Sequence, residues 1–225
     1  PFLRQHISFP PIPELKLRLL QQYLNHAGWP AERSEIYCTA VTLAQMGLEI
    51  HEGIDNRENL PETEKRRRQL SILAGDYLSS QYYRILSMHG EIALIDLLAQ
   101  SIAHINHWKM RLYSHVSPLP LPSFLEAVEH IEAELFTCIT SWAPQAQNWR
   151  EWMQGVILVD WIIRKLEGDP AYCTYLYSVD ELKSAAKEKL VQLRQLLRSA
   201  GATVAAQCLF WVDHCESRLS AYTTR

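Results

Sequence analysis

Long hydrophobic runs are missing from this sequence. Apolar stretches such as VILV at 156–159 are core-sized, well short of the roughly 18–20 residues needed to cross a bilayer, so no transmembrane segment is expected. Glycine is scarce, with 8 among 225 residues, and alternating apolar–polar stretches and hairpin dipeptides are few. That removes the usual punctuation of a β-sandwich or barrel. A positive charge excess is lacking too: the formal net charge is −3, which leaves no electrostatic footprint for nucleic acid. The five cysteines (Cys38, Cys138, Cys173, Cys208 and Cys215) are odd in number and never spaced as CxxC. They argue against a disulfide frame or a zinc knuckle and for reduced thiols in a cytoplasmic core. The chain opens at Pro1 without a Met or a secretory leader, and a trimmed chain is the expectation.

What is present is helical periodicity, almost throughout. A composition of 48% hydrophobic and 21% charged residues is that of a soluble globular protein, and this length supports one core. Helices are predicted at about 13–27, from 31 or 34 through YCTAVTLAQMGLEIHEG, and at 62–88, 91–114, 123–142, 147–167, 179–199 and 202–220. Asp55 to Pro61 reads as a polar loop. SPLPLP at 117–122 reads as a rigid connector that cannot be helical. Breaks are expected at APQAQ (143–147), EGDP (167–170) and SAGA (199–202). No linker is long enough to divide the chain, so the fold class is all-α, a single-domain bundle of about eight helices over residues 1–225.

Two stretches carry the functional argument. LSILAGDYLSSQYYRIL at 70–86 resembles the AVLAGDYLLARA helix of trans-prenyltransferases, the all-α enzymes that lengthen isoprenoid diphosphates. With that helix placed, LAQMGLEIHEGIDN (43–56) falls where those enzymes carry a first aspartate motif, typically LIHDDIID. WREWMQGVILVDWIIRKLEG (149–168) falls on their second, LREYGRNLGIAFQIVDDILDYTG. LLAQSIAHINHWKMRL (97–112), FLEAVEHIEAELF (124–136) and AQCLFWVDHCESR (206–218) keep the same order. The resemblance spans about residues 15–220. More narrowly, the chain is similar to the small subunits of bacterial two-component heptaprenyl diphosphate synthases. The implied fold is the isoprenoid synthase bundle.

The departures matter as much as the likeness. Working enzymes of this kind hold magnesium with carboxylates at i, i+1 and i+4, and the metal bridges to the substrate diphosphate. Here the first motif keeps Glu52, has Gly53 beside it and ends in Asn56, with Asp55 as a substitute carboxylate near the loop. The second keeps Asp160, but Trp161 replaces its neighbour and Arg164 stands at i+4. An Asp and an Arg so spaced share a helix face and pair, and the guanidinium cannot shed its charge. The lysine of the usual KT motif is replaced by Ile131 or Glu132. No catalytic residue and no metal ligand set is therefore expected in this chain, and LEIHEGIDN reads as the relic of a metal site, kept as helix and not as chemistry.

The resemblance then implies a catalytic large subunit as heterodimer partner, with Mg2+ in that partner, isopentenyl diphosphate added to an allylic diphosphate, and a C35 product for the menaquinone side chain. The small subunit is implicated in product length. Expected contacts with the partner or the prenyl tunnel are Tyr82, Tyr83, Ile92, Ile95, Leu98, Ile102 and Ile105. Cytoplasmic localisation is expected, and composition leaves room for loose attachment to the inner membrane surface. An autonomous terpene cyclase-like enzyme using Glu52, Asp55 and Asp160, or a non-enzymatic helical scaffold, are the alternatives. Other features read as structure. Asp76 is expected to be a hydrogen-bonding residue, Lys65 to Arg68 a solvated helix face, and Trp149, Trp152 and Trp161 core or interface mass. His104 and His107, at i, i+3, have no third metal ligand spaced nearby.

Overall fold

The computed structural model describes residues 6–114, 117–142, 147–168, 177–199 and 202–223. Cys173 and parts of the three expected breaks lie outside these residues. The described residues contain eight α-helices: α1 Glu14–His26, α2 Ala31–Glu52, α3 Glu62–Met88, α4 Ile92–Ser114, α5 Leu121–Thr137, α6 Gln147–Leu166, α7 Val179–Ser199 and α8 Ala202–Thr223. A short 3₁₀ stretch, Cys138–Trp142, follows α5. No strand occurs among the described residues. Contacts group the chain into two compact units, the first running to Gln100 and the second starting at Ser101.

Proline and glycine set the boundaries. Pro30, Pro61 and Pro120 each sit one residue before a helix in extended conformation, with ψ of 140°, 154° and 141°. A residue without an N–H costs nothing there, because the first-turn donors have no intrahelical partner anyway. Gly90 ends α3 at φ 69°, a left-handed turn that a side chain would strain. The connector at 117–122 is a correction: α5 begins at Leu121 with Pro122 in its first turn. Proline is harmless in that turn for the same reason. The helix expected to run to residue 142 likewise tightens to 3₁₀ at Cys138.

In the first unit Ile7, Ile50, Ala74 and Leu78 form a buried cluster, against which Phe9, Leu43, Met46 and Leu70 pack. Ile50 is near the end of α2 and Ala74 lies within the LAGDY segment, so this core ties the two helices that carry the first motif and its neighbour. In the second unit α6 is the central element, with Met153, Val156, Val159, Ile162 and Ile163 all at 0% exposure. Trp149, Trp152 and Trp161 are buried as well. These tryptophans are core.

Candidate functional site

α2 stops at Glu52, with the Gly53 N–H returned to the Glu49 carbonyl at 3.1 Å. The motif is therefore helical only as far as Glu52. Asp55 and Asn56 fall in the irregular segment beyond it, so the i, i+1, i+4 slots do not share a helix face. Gly53 is a poor helix residue, and Asp55 supplies the competing local bonds. Its carboxylate accepts the Arg57 backbone N–H at 3.0 Å and the Arg57 guanidinium at 2.6 Å and 2.9 Å, an Asx-type turn. The Arg57 side chain, and after it the Arg57 N–H, hold the Asp55 carboxyl down to about 2. Arg68 reaches from α3 to the carbonyl oxygens of Arg57 at 3.2 Å and Asp55 at 3.5 Å. Lys65 pairs with Glu62 at 2.8 Å. Half of the basic run thus has partners on its own helix or the preceding loop, while Arg66 and Arg67 are exposed.

The LAGDY helix meets this region through His51, the residue before Glu52. A Cβ on Gly75 would lie 2.6 Å from His51 Nε2, so the absence of a side chain at 75 is what lets the imidazole lie on α3. His51 Nε2 is then 3.4 Å from Asp76 Oδ1.

The second motif is built differently. Asp160 on α6 is 8% exposed, and both its oxygens accept from arginine: Oδ2 from Arg164 Nε at 3.0 Å, Oδ1 from Arg218 Nη1 at 2.5 Å. Arg218, on α8, also donates to Glu167 at 2.8 Å. Arg164 extends to Glu132 at 3.7 Å. Sign is therefore inverted at two positions: an acid stands near the expected lysine and a cation where an aspartate belongs, and the two face each other. Trp161 is 3% exposed, tilted against Phe124 at 6.0 Å, with the Lys165 ammonium 5.1 Å from its ring centre. Sequence reasoning missed Arg218, because nothing in the spacing links positions 58 residues apart.

This donor set does not fit a magnesium–diphosphate centre. Magnesium needs several oxygen ligands in near-octahedral array. Asp160 has both oxygens committed to guanidinium groups, and Asp55 is held by Arg57. Glu52 is exposed at a helix end and Asn56 carries no charge. Thiol chemistry fares no better: burial pushes Cys38 up to about 11 and Cys208 and Cys215 up to about 12, so all three stay protonated and unreactive.

Of the expected contact residues, Ile92 is 64% and Tyr83 55% exposed, while Tyr82, Ile95 and Ile102 are half-buried. Leu98 at 0% and Ile105 at 2% are interior positions of this chain. An apolar seam marks the buried face of a helix just as well as an external one. Sequence reasoning places Leu73 and Tyr77 on one side of this helix without marking them as outward, and passes over Met88; the three are exposed at 62%, 59% and 69%, and their spacing puts them along one side of α3.

His104 does not pair with His107. It meets His130 and Glu134, which lie at i, i+4 on α5, and one ligand atom from each of the three falls within 4.8 Å of the others. The Trp108 indole N–H donates to His104 Nε2 at 3.0 Å. Trp108 is stacked on His130 with ring centres 4.4 Å apart, and the Arg111 guanidinium lies 4.3 Å from the indole centre. Burial, with a contribution from His104, lowers the His130 imidazole from its ordinary range.

Solved structures with the same architecture define the class. A decaprenyl diphosphate synthase from Rhodobacter capsulatus superposes with a TM-score of 0.68 at 13% identity, covering 98% of this chain and 94% of that one. An FPP/GFPP synthase from Zymomonas mobilis gives 0.58 at 16% identity, covering 96% and 93%. The fold is that of the isoprenyl diphosphate synthases. Residues 1–197 match the family model "Heptaprenyl diphosphate synthase (HEPPP synthase) subunit 1", and the chain belongs to that family. A curated relative, "Heptaprenyl diphosphate synthase component 1" from Geobacillus stearothermophilus, is 31% identical over 137 residues, 60% of this chain and 59% of the relative. The match thus spans under two thirds of that protein.

Proposed function

We propose that this chain is the small subunit of a heteromeric heptaprenyl diphosphate synthase, inactive alone and required by a catalytic subunit. That partner condenses isopentenyl diphosphate onto an allylic diphosphate, with Mg2+ held by its own acids, to make the menaquinone side chain. The observation that carries this reading is the double arginine clasp on Asp160, which leaves the best surviving acid with no oxygen for a metal. Membership of a subunit 1 family supports the existence of a partner. We read residues 1–225 as one isoprenoid-synthase-like domain, which the 98% coverage by a single solved chain supports. Localisation is read as cytoplasmic, with room for loose attachment to the inner membrane surface, from the scattered cysteines without CxxC spacing; no helix among the described residues is long and apolar enough to cross a membrane.

The chain acts on the partner by contact and not by chemistry. A growing prenyl tail needs an apolar wall, and a neighbouring subunit can supply or extend one without touching the diphosphate. Tyr83 and Ile92, with Leu73, Tyr77 and Met88 on α3, are the exposed apolar groups available for this; half-buried Tyr82, Ile95 and Ile102 border them in sequence.

The test mixes the purified chain with a catalytic subunit carrying both aspartate motifs, supplies isopentenyl diphosphate, a short allylic diphosphate and Mg2+, and sizes the products. Long product from the mixture alone is expected, with Ile92→Asp or Tyr77→Asp weakening association at least tenfold. Product from the isolated chain would instead support an autonomous cyclase-like enzyme. A partner whose rate and product length ignore this chain would support a scaffold.

A further inference from the structure

The His104, His130 and Glu134 cluster is absorbed neither by the fold's usual chemistry nor by the proposed partnership. Three features set it apart from a satisfied polar contact. His130 Nδ1 is shut off from solvent and has no hydrogen-bond partner. A buried imidazole nitrogen left in that state loses the interaction it had with water. Glu134 is only 6% exposed, and of its contacts Arg150 Nη2 at 2.8 Å and His104 Nδ1 at 3.5 Å both meet the same oxygen, Oε2. Finally, His130 and Glu134 are one helical turn apart on α5, the spacing that turns two side chains to one point, and His104 approaches that point from α4.

We infer that His104, His130 and Glu134 form a site for a borderline transition-metal dication of the zinc type, clipping α4 to α5 inside the second unit. Two imidazoles and one carboxylate are a donor set that zinc accepts and magnesium does not. With bonds of about 2.0–2.1 Å, a tetrahedral site has ligand–ligand edges of roughly 3.3 Å; one ligand atom from each of the three residues already lies within 4.8 Å of the others, a gap that side-chain rotation closes. The His104 side chain is 42% exposed, which gives an entry path and a fourth position for water. Arg150 on Oε2 leaves Oε1 for the metal, and carboxylate ligands are ordinarily oriented by such a second partner.

Trp108 makes the site self-reporting. Its indole N–H donates to His104 Nε2, so in the metal-free network His104 carries its proton on Nδ1. Metal at Nδ1 moves that proton to Nε2, where it opposes the indole N–H. Binding therefore competes with one hydrogen bond and must disturb the Trp108 ring stacked on His130.

The experiment is a titration of the untagged chain with ZnCl2, followed by tryptophan fluorescence and calorimetry, with CoCl2 as a spectroscopic probe and MgCl2 as a control. One zinc per chain is expected, with a change in indole emission. Cobalt should show tetrahedral d–d bands without a thiolate charge-transfer band, and magnesium should not compete. His130→Ala and Glu134→Gln should each weaken zinc at least tenfold, with circular dichroism confirming that they remain helical. Trp108→Phe, which removes the competing donor, should tighten zinc severalfold. The inference is overturned if zinc fails to bind the wild-type chain saturably at micromolar concentration. It is equally overturned if folded His130→Ala binds like wild type, or if Trp108→Phe weakens binding. None of these readouts involves prenyl transfer, so they stand apart from the test of the subunit assignment.

Discussion

The two segments read as aspartate motifs hold their acids in physically different settings. Around Glu52 the helix ends, and Asp55 and Asn56 pass into a surface segment pinned by Arg57 and Arg68. Around Asp160 the acid is part of the packed structure. There the helix is intact, the neighbouring position is a core tryptophan, and the remaining acid is a buried anchor for arginines of two helices. A surface segment can drift at little cost, since exposed ion pairs contribute about 0–1 kcal/mol. A buried one is held in place, because removing a partner from a buried pair costs about 3–5 kcal/mol. The second motif is therefore the less reversible of the two.

Re-acidifying the second motif gives the largest expected effect. Trp161→Asp with Arg164→Asp rebuilds the aspartate pattern but empties a packed aromatic site and places carboxylates beside Asp160. A stability loss of about 4 kcal/mol or more is expected, read by urea denaturation, and no recovery of magnesium binding. Next comes Arg218→Ala, which frees one oxygen of Asp160 while Arg164 keeps the other. About 2 kcal/mol should be lost, and a double-mutant cycle with Asp160→Asn should show clear coupling.

Smaller effects sharpen the contrast at the first motif. Gly75→Ala drives a Cβ into the His51 ring. The ring is the far end of a side chain that is 35% exposed and can swing aside, while alanine adds about 1 kcal/mol of helix propensity, so a net change within about 1 kcal/mol is expected. Adding His51→Ala removes the clash altogether and should leave a small net gain, as measured by thermal melting. Smallest is the exposed Asp55 pair. Its carboxyl should titrate near 2 by NMR and return to the ordinary carboxylate range in Arg57→Ala. Because the folded value is depressed, whatever the pair adds to stability is complete above the ordinary range and disappears as pH falls through about 2.

Most helix limits were legible because prolines at 30 and 61 and the glycine at 90 punctuate them locally, whereas the proline-rich run at 117–122 hid the start of α5. The Asp160–Arg164 pair was legible for the same reason, being one turn of one helix. What stayed hidden is long-range. No spacing connects Arg218 to Asp160, or His104 to His130 and Glu134, and helical periodicity alone does not say which side of α3 or α4 faces inward. Leu98 and Ile105 on one side, and Leu73 and Tyr77 on the other, show how an apolar stripe can be core in one helix and surface in the next.

The central claim is that this chain by itself cannot ionise an allylic diphosphate. The direct measurement is pyrophosphate release from a short allylic diphosphate by the isolated chain with saturating Mg2+. Release at the uncatalysed background rate is predicted, unchanged in Asp160→Asn. Magnesium-dependent release that Asp160→Asn abolishes would contradict the account.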